Sequence, residues 1–170
     1  AQAAGATALW APAVDQIYPR GLEGLTRRSP PAALVSQLCG PSRPGHFGGV
    51  CTVVARLLAW SQPSHLHLGE KDWQQLQVLR RLIDDLQWPL QVVPFPTQRE
   101  ADGLPCSSRN TDLTPAQRQQ VSALPATLLQ AQQLVESGQT LWAVLQPQLL
   151  ALLQDHQLEV EYLQLSLIHI

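Results

Sequence analysis

The chain has 170 residues, 45% of them hydrophobic and only 14% charged, with a formal net charge of −2. That is enough apolar material for one domain, or one and a half small ones, with a genuine core. Its 11 Lys and Arg form no run, which excludes the basic face of a nucleic-acid binder, and no apolar stretch reaches the roughly 20 residues of a membrane span.

Cys39, Cys51 and Cys106 are odd in number and lack metal-ligand spacing, which indicates free thiols in a reducing, cytoplasmic setting. No metal site is expected among the residues present. Ala1–Ala13 lacks the basic start of a secretory signal. The chain opens without Met, in what reads as the middle of a domain, so a fragment is expected.

Ala1–Ala4 reads as the end of a helix, and Thr7–Ala11 (T-A-L-W-A) as a short buried strand stopped by Pro12. Val14–Leu25 contains Y-P-R-G, an exposed loop marked by proline and glycine. Pro30 and Pro31 open a short helix over Ala32–Leu38, ended by Gly40. A glycine-rich turn, Ser42–Val50, then leads into a helix over Val50–Trp60. There Val50, Val53, Val54, Leu57 and Leu58 have the spacing of a buried stripe. His46 stands at the mouth of this helix, either as a structural hydrogen-bonder or as a functional group.

His65–Leu68 alternates as a strand does and ends at Gly69. Leu76, Leu79, Leu82, Ile83 and Leu86 then mark a helix from about Lys71 to Gln87, broken by Trp88-Pro89. Leu90–Phe95 is a second apolar strand, whose end is blurred by Pro94. Strand, helix and strand in this order make a βαβ unit with a parallel sheet and a right-handed crossover. After Pro96 the texture changes. Residues 97–114 are polar and aperiodic, two Gln- and Ala-rich helical patterns run from Pro115 to about Gln154, and Leu158–Leu165 alternates as a strand. The boundaries are therefore set at 1–96 and 97–165, with 166–170 (S-L-I-H-I) read as a non-native tail.

Three segments carry the chemistry. Gly69, Glu70, Lys71, Asp72 and Gln75 place a fixed positive charge, carboxylates and an amide where a strand gives way to a helix. Lys71, Asp72 and Gln75 share roughly one helical face. In open α/β sheets ligands bind beyond the carboxyl ends of the strands, and a helix start attracts anions. The competing reading is a solvated turn. Ser107-Ser108-Arg109-Asn110 is either an ordinary turn or a phosphate clamp of two hydroxyls and a guanidinium fork. R-P-G-H-F at Arg43–Phe47, with its helix, is the third.

Taken in this order, the segments resemble the pantothenate synthetases, the pantoate–β-alanine ligases of coenzyme A biosynthesis. The resemblance rests on S-R-P-G-H-F-x-G-V (Ser42–Val50), T-V-V-A-R-L (Thr52–Leu57) and G-E-K-D-W-Q-Q-L (Gly69–Leu76). R-E-A-D-G-L-x-x-S-S-R-N (Arg99–Asn110), L-T-x-x-Q-R (Leu113–Arg118) and Y-P-R-G (Tyr18–Gly21) extend it.

That resemblance implies an α/β fold: a Rossmann-like nucleotidyltransferase domain with a parallel sheet, truncated at its N-terminus, then a smaller, partial α+β lid-like domain. It implies ATP and Mg²⁺, a homodimer in the complete protein, and ligation of pantoate to β-alanine through pantoyl adenylate. By position, Gly69, Glu70, Lys71 and Asp72 line the ATP site, and Gln75 holds pantoate between apolar walls at Val50, Val53 and Val54. Ser107, Ser108 and Arg109 match a flexible phosphate-contacting motif preceded by Cys106, and Gln98 matches an adenine-contacting backbone. Lys71, Arg109, Ser107 and Ser108 are the catalytic candidates. The family's H-x-G-H motif, its first pantoate-contacting glutamine and its Mg²⁺-binding acid are absent from this chain, so the chain alone is expected to be inactive. Gly48 and Cys106 depart from the residues usual in the family. Some members carry a fused cytidylate kinase. The alternatives are another adenylyl-transferring enzyme of the same fold, or an inactive nucleotide-binding or structural fragment.

Overall fold

The computed structural model describes residues 2–165. Its centre is the expected βαβ unit. Strand β1 (His65–Gly69) runs parallel to β2 (Gln91–Phe95), with Leu66 opposite Val92 and Leu68 opposite Pro94. Between them lies α4 (Trp73–Asp85), whose Leu76, Val78, Leu79 and Ile83 are buried, and which packs against β1. The expected helix start at Lys71 is instead a 3-10 turn over Glu70–Asp72, and α4 proper begins two residues later, at Trp73.

Two short helices precede this unit, α1 (Val14–Ile17) and α2 (Ala32–Val35), followed by the long α3 (His46–Ser61). Helix α2 is shorter than the expected Ala32–Leu38. The chain turns back at Leu38 (φ 53) toward Gly40, where a β-carbon would lie 1.9 Å from the Val35 carbonyl oxygen. Only glycine fits that approach. Helix α3 starts earlier than Val50 because Gly45, at φ 78, turns the chain directly into it. Its buried residues are Phe47, Cys51, Thr52, Ala55 and Leu58, so the stripe is rotated from the expected one, and Val50, Val53, Val54 and Leu57 flank it half-buried. Thr52 is satisfied in the core: its hydroxyl donates to Gly48 O (2.7 Å) and accepts from Arg28 N (3.0 Å). Phe47, Cys51 and Val78 form a cluster where α2, α3 and α4 meet, sealed by Leu34, Val35, Cys39 and Leu82.

Gln74 ties this cluster together. It is 6% exposed, and its amide nitrogen donates to Leu34 O (2.9 Å) and Gln37 O (2.8 Å), while its oxygen accepts from Cys39 N (3.2 Å). A buried amide costs free energy unless paired, and here every bond goes to the turn that ends α2. The Y-P-R-G loop is anchored in the same way. Arg56 donates to Ile17 O (2.9 Å) and lies 5.3 Å from the Tyr18 ring centre.

Beyond β2 come α5 (Pro115–Val121), α6 (Ala123–Glu136) and α7 (Trp142–Asp155); α6 and α7 pack on each other, and their buried residues are Ala123, Thr127, Leu145, Leu149 and Leu153. Two expected strands are corrected. Thr7–Ala11 is irregular and on the surface, with Leu9 78% exposed and Trp10 leaning on Trp60. A short apolar run becomes a strand only where a ladder partner exists, and none lies beside it among the described residues. Leu158–Leu165 joins no ladder either, and is held by Gln146 Nε2 donating to Leu163 O (2.8 Å) and Leu38 N donating to Gln164 Oε1 (3.0 Å). The tail assigned to 166–170 lies outside the described residues.

Candidate functional site

The strand-to-helix junction opens onto a cavity of about 540 Å³ at the carboxyl end of β1. Its walls come from the three motif segments: Arg43, His46 and Phe47 from the glycine-rich turn, Lys71, Asp72 and Gln75 from the junction, and Ser107, Ser108 and Arg109 from the polar stretch. Leu38, Cys39, Trp73, Gln74 and Tyr162 complete it. A cavity of about 620 Å³ lies at the opposite ends of the strands, but its walls (Leu58, Gln62, Ser64, Trp88 and neighbours) carry no charge. Chemistry therefore favours the smaller one.

Local structure aims each group. Gly45 starts α3 so that His46 and Phe47 border the cavity at the positive end of the helix dipole. The 3-10 turn swings Lys71 toward the opposite wall, where Nζ donates to Cys106 O at 3.2 Å. Ser107 caps the next 3-10 turn (Ser108–Asp112), its hydroxyl accepting from Arg109 N at 3.3 Å. Arg43, Lys71 and Arg109 make no ion pair among the described residues, and Asp72 is the only carboxylate on the lining. Three uncompensated cations, two hydroxyls and a helix N-terminus make a site for a multiply charged anion.

Other expected residues stand outside this lining. Gly69 and Glu70 lead into it, and Cys106 contributes its carbonyl to Lys71. Gln98 pairs through its backbone, Cys106 N donating to Gln98 O at 2.9 Å. Val50, Val53 and Val54 continue along α3 from His46, half-buried. At Gly48 a β-carbon would meet only Arg28 O at 3.4 Å, ordinary contact, so the departure there leaves no clash to relieve. Sequence reasoning missed Gln74 and Tyr162. Gln74 lies four residues before the buried Val78 on α4, a spacing that puts it on the inner face. Tyr162 gave no comparable signal, since the extended segment that carries it runs back to the cavity only through tertiary contacts. Burial pushes the Tyr162 phenol above its usual range, with Arg43 acting in the opposite sense. The three cysteines are free thiols, and burial raises Cys51 above the ordinary thiol range.

A family profile described as pantoate-beta-alanine ligase matches residues 1–168. The chain belongs to that family. A bifunctional pantoate ligase/cytidylate kinase of Synechococcus sp. (strain RCC307) is 62% identical over 162 residues, covering 95% of this chain and 32% of the relative. Its counterpart in Prochlorococcus marinus (strain SARG) is 47% identical, covering 95% and 30%. The chain thus spans about a third of the length of these curated relatives. Among solved structures, pantothenate synthetase from Thermus thermophilus superposes with a TM-score of 0.80 at 41% identity, over 91% of this chain and 54% of that one. Pantoate-beta-alanine ligase from Francisella tularensis, complexed with beta-gamma ATP and beta-alanine, gives 0.61 at 40% identity, over 66% and 42%. The pantoate–β-alanine ligase family accordingly supplies the α/β fold seen here, a parallel sheet flanked by helices.

Proposed function

We propose that this chain forms part of an ATP-dependent pantoate–β-alanine ligase. The observation that supports it most is the convergence of Arg43, Lys71 and Arg109, all without ion pairs among the described residues, on one cavity with Ser107 and Ser108. In this reading the pantoate carboxylate attacks the α-phosphorus of ATP. The α–β phosphoanhydride bond breaks, pyrophosphate leaves, and pantoyl adenylate remains. The amine of β-alanine then attacks the acyl carbon, loses a proton, and expels AMP. Such chemistry needs positioning and charge neutralisation more than a protein nucleophile.

Lys71, Ser107, Ser108 and Arg109 take the phosphates, with Gly69, Glu70, Asp72, Gln98 and Cys106 bordering the nucleotide. Gln75, whose side-chain amide makes no hydrogen bond among the described residues, takes pantoate, and Val50, Val53 and Val54 wall its apolar part. Residues 1–96 act as the nucleotide- and pantoate-binding part and 97–165 as the lid-like part. Lys71 to Cys106 O and Leu38 N to Gln164 Oε1 link the two. Mg²⁺ would sit with the phosphates; the described residues hold no cluster of three His, Cys, Asp or Glu that would cage a metal. The protein works in the cytoplasm as a homodimer, and no helix among the described residues is long and apolar enough to cross a membrane.

The test is product analysis of the complete protein supplied with pantoate, β-alanine, ATP and Mg²⁺. Pantothenate and AMP should appear together and depend on all three substrates, while one equivalent of pyrophosphate per site should be released with pantoate and ATP alone. Formation of ADP instead, or no pantothenate, would overturn the reading. Gel filtration of the same protein checks the dimer.

A further inference from the structure

R-E-A-D-G and L-T-x-x-Q-R flank the Ser107–Arg109 loop, yet none of their side chains lines the cavity. The geometry shows where they go instead. Residues 98–106 form a tight hairpin: Cys106 N donates to Gln98 O (2.9 Å), Glu100 N to Leu104 O (2.8 Å), and Gly103 turns the chain at φ 83. Its two carboxylates both grip Arg118, Nη2 standing 2.7 Å from Glu100 and 2.6 Å from Asp102. The other oxygen of Glu100 accepts from Asn110 Nδ2 at 2.5 Å, and the same nitrogen donates to Pro105 O at 3.0 Å.

Arg118 is itself fixed. It stands in the first turns of α5, whose start is locked by a reciprocal cap. Thr114 Oγ1 accepts from Gln117 N (3.3 Å), Gln117 Oε1 accepts from Thr114 N (3.0 Å), and Pro115 follows. The loop between, by contrast, has little of its own. Ser108 and Arg109 are exposed, and the internal bonds are short-range, among them Arg109 N to Ser107 Oγ, Thr111 Oγ1 to Ser108 O (2.7 Å) and the turn's own Asn110 N to Ser107 O (3.1 Å), none of which ties the loop to another wall of the cavity. Its aim is therefore inherited from its two ends, Pro105–Cys106 and Asn110, and both ends hang on Glu100 and Arg118. Arg118 cannot double as an anion ligand, because two carboxylates already neutralise it. Both are held below the usual carboxylate range, Glu100 chiefly by Asn110 and then Arg118, Asp102 chiefly by the Leu104 N–H.

We propose that Arg118 is a positioning residue: through Glu100 and Asn110 it holds the Ser107–Arg109 loop against the cavity without touching the ligand. This rests on the phosphate-binding reading of that loop. Misplacing a binding group by about 1 Å costs roughly a hundredfold, and the loss should fall on ATP alone, because the proposed pantoate groups sit on α3 and α4.

The experiment uses the complete protein with Arg118→Met, Arg118→Lys and Asn110→Ala, varying ATP and pantoate in turn. Arg118→Met should lower kcat/KM for ATP by roughly ten- to a hundredfold, leaving the KM for pantoate within about twofold. Arg118→Lys should recover most of the loss, since a single nitrogen makes both contacts and an ammonium has three donors. Asn110→Ala cuts the same chain without touching α5, so it carries the test if Arg118→Met fails to fold. Labelling of the Cys106 thiol reads the loop without any turnover, and should speed up in Arg118→Met and Asn110→Ala. Unchanged ATP constants and labelling, equal losses for ATP and pantoate, or an Arg118→Lys enzyme as impaired as Arg118→Met would each overturn the proposal. A wild-type protein that makes no pantothenate would overturn the ligase reading instead, and the labelling rates would still decide whether Arg118 holds the loop.

Discussion

Adjacent glutamines on α4 should behave as opposites, and Gln74→Leu is the sharper test. Leucine keeps most of the volume and removes every polar atom of the side chain. Leu34 O, Gln37 O and Cys39 N lose the partners that now stand at 2.9, 2.8 and 3.2 Å. A fully buried orphan of this kind costs about 1–3 kcal/mol. The turn ending α2 is only half-buried at Leu34 and Cys39 and exposed at Gln37, so water rescues part of the loss. The sum is about 2–4 kcal/mol. With a urea slope of roughly 1–3 kcal/mol per molar, the unfolding midpoint of the complete protein should fall by about 0.7–4 M. Urea titration followed by tryptophan fluorescence reads it directly. Because Leu38, Cys39 and Arg43 line the cavity, activity should fall as well, for every substrate alike. A midpoint within experimental scatter of the wild type would refute the idea that Gln74 is the pin of this corner.

Gln75→Ala should leave that midpoint alone and raise the KM for pantoate by about ten- to a hundredfold, the worth of one hydrogen bond to a charged group; a shift confined to ATP would show that this helix face is misassigned. Arg109→Lys keeps the charge but loses the fork, and kcat/KM for ATP should drop at least about tenfold. Turnover equal to wild type would make Arg109 a surface turn residue. The carboxylates of Glu100 and Asp102 are lowered in the folded protein, so the stability they confer is complete above the ordinary carboxylate value of about 4 and fades as pH falls through the lower folded values. The urea midpoints of wild type and Asn110→Ala should therefore differ by a constant amount at neutral pH and draw closer in acid as Glu100 protonates, the Asn110 bond to Pro105 O leaving a residual gap; a gap that did not narrow would contradict this.

The βαβ unit was legible because its signals are local: alternation over His65–Leu68, helical spacing over Leu76–Leu86, and a proline break before β2. The cavity was legible for another reason. Lys71, Asp72, Gln75 and Ser107–Arg109 are polar groups whose spacing or neighbours suit them poorly to anything but a surface turn or a ligand, and the fold brings them together. What could not be read depended on partners distant in the chain. T-A-L-W-A and L-E-V-E-Y-L-Q-L carry strand-like patterns, but a pattern states a preference and only a neighbouring edge makes a ladder. The buried stripe of α3 was misplaced for a similar reason: the helix begins at Gly45, and Phe47 rather than the valines reaches the α2–α4 corner. Gln74 looked interchangeable with Gln75 until the carbonyls of α2 came within reach.

Lys71 holds one more consequence. A free lysine surrenders roughly 2 kcal/mol of rotamer freedom when it is pinned. Here the amine is already drawn out across the cavity to the Cys106 carbonyl, so much of that ordering is met when the chain folds. On the proposed reading, an incoming phosphate oxygen would replace a neutral acceptor with a charged one, and the bond would strengthen. An uncharged molecule brings no better acceptor than the one it must displace. In the proposed site the lysine would therefore act as a filter on charge as well as an attraction to it, disfavouring neutral ligands that would otherwise fit the space.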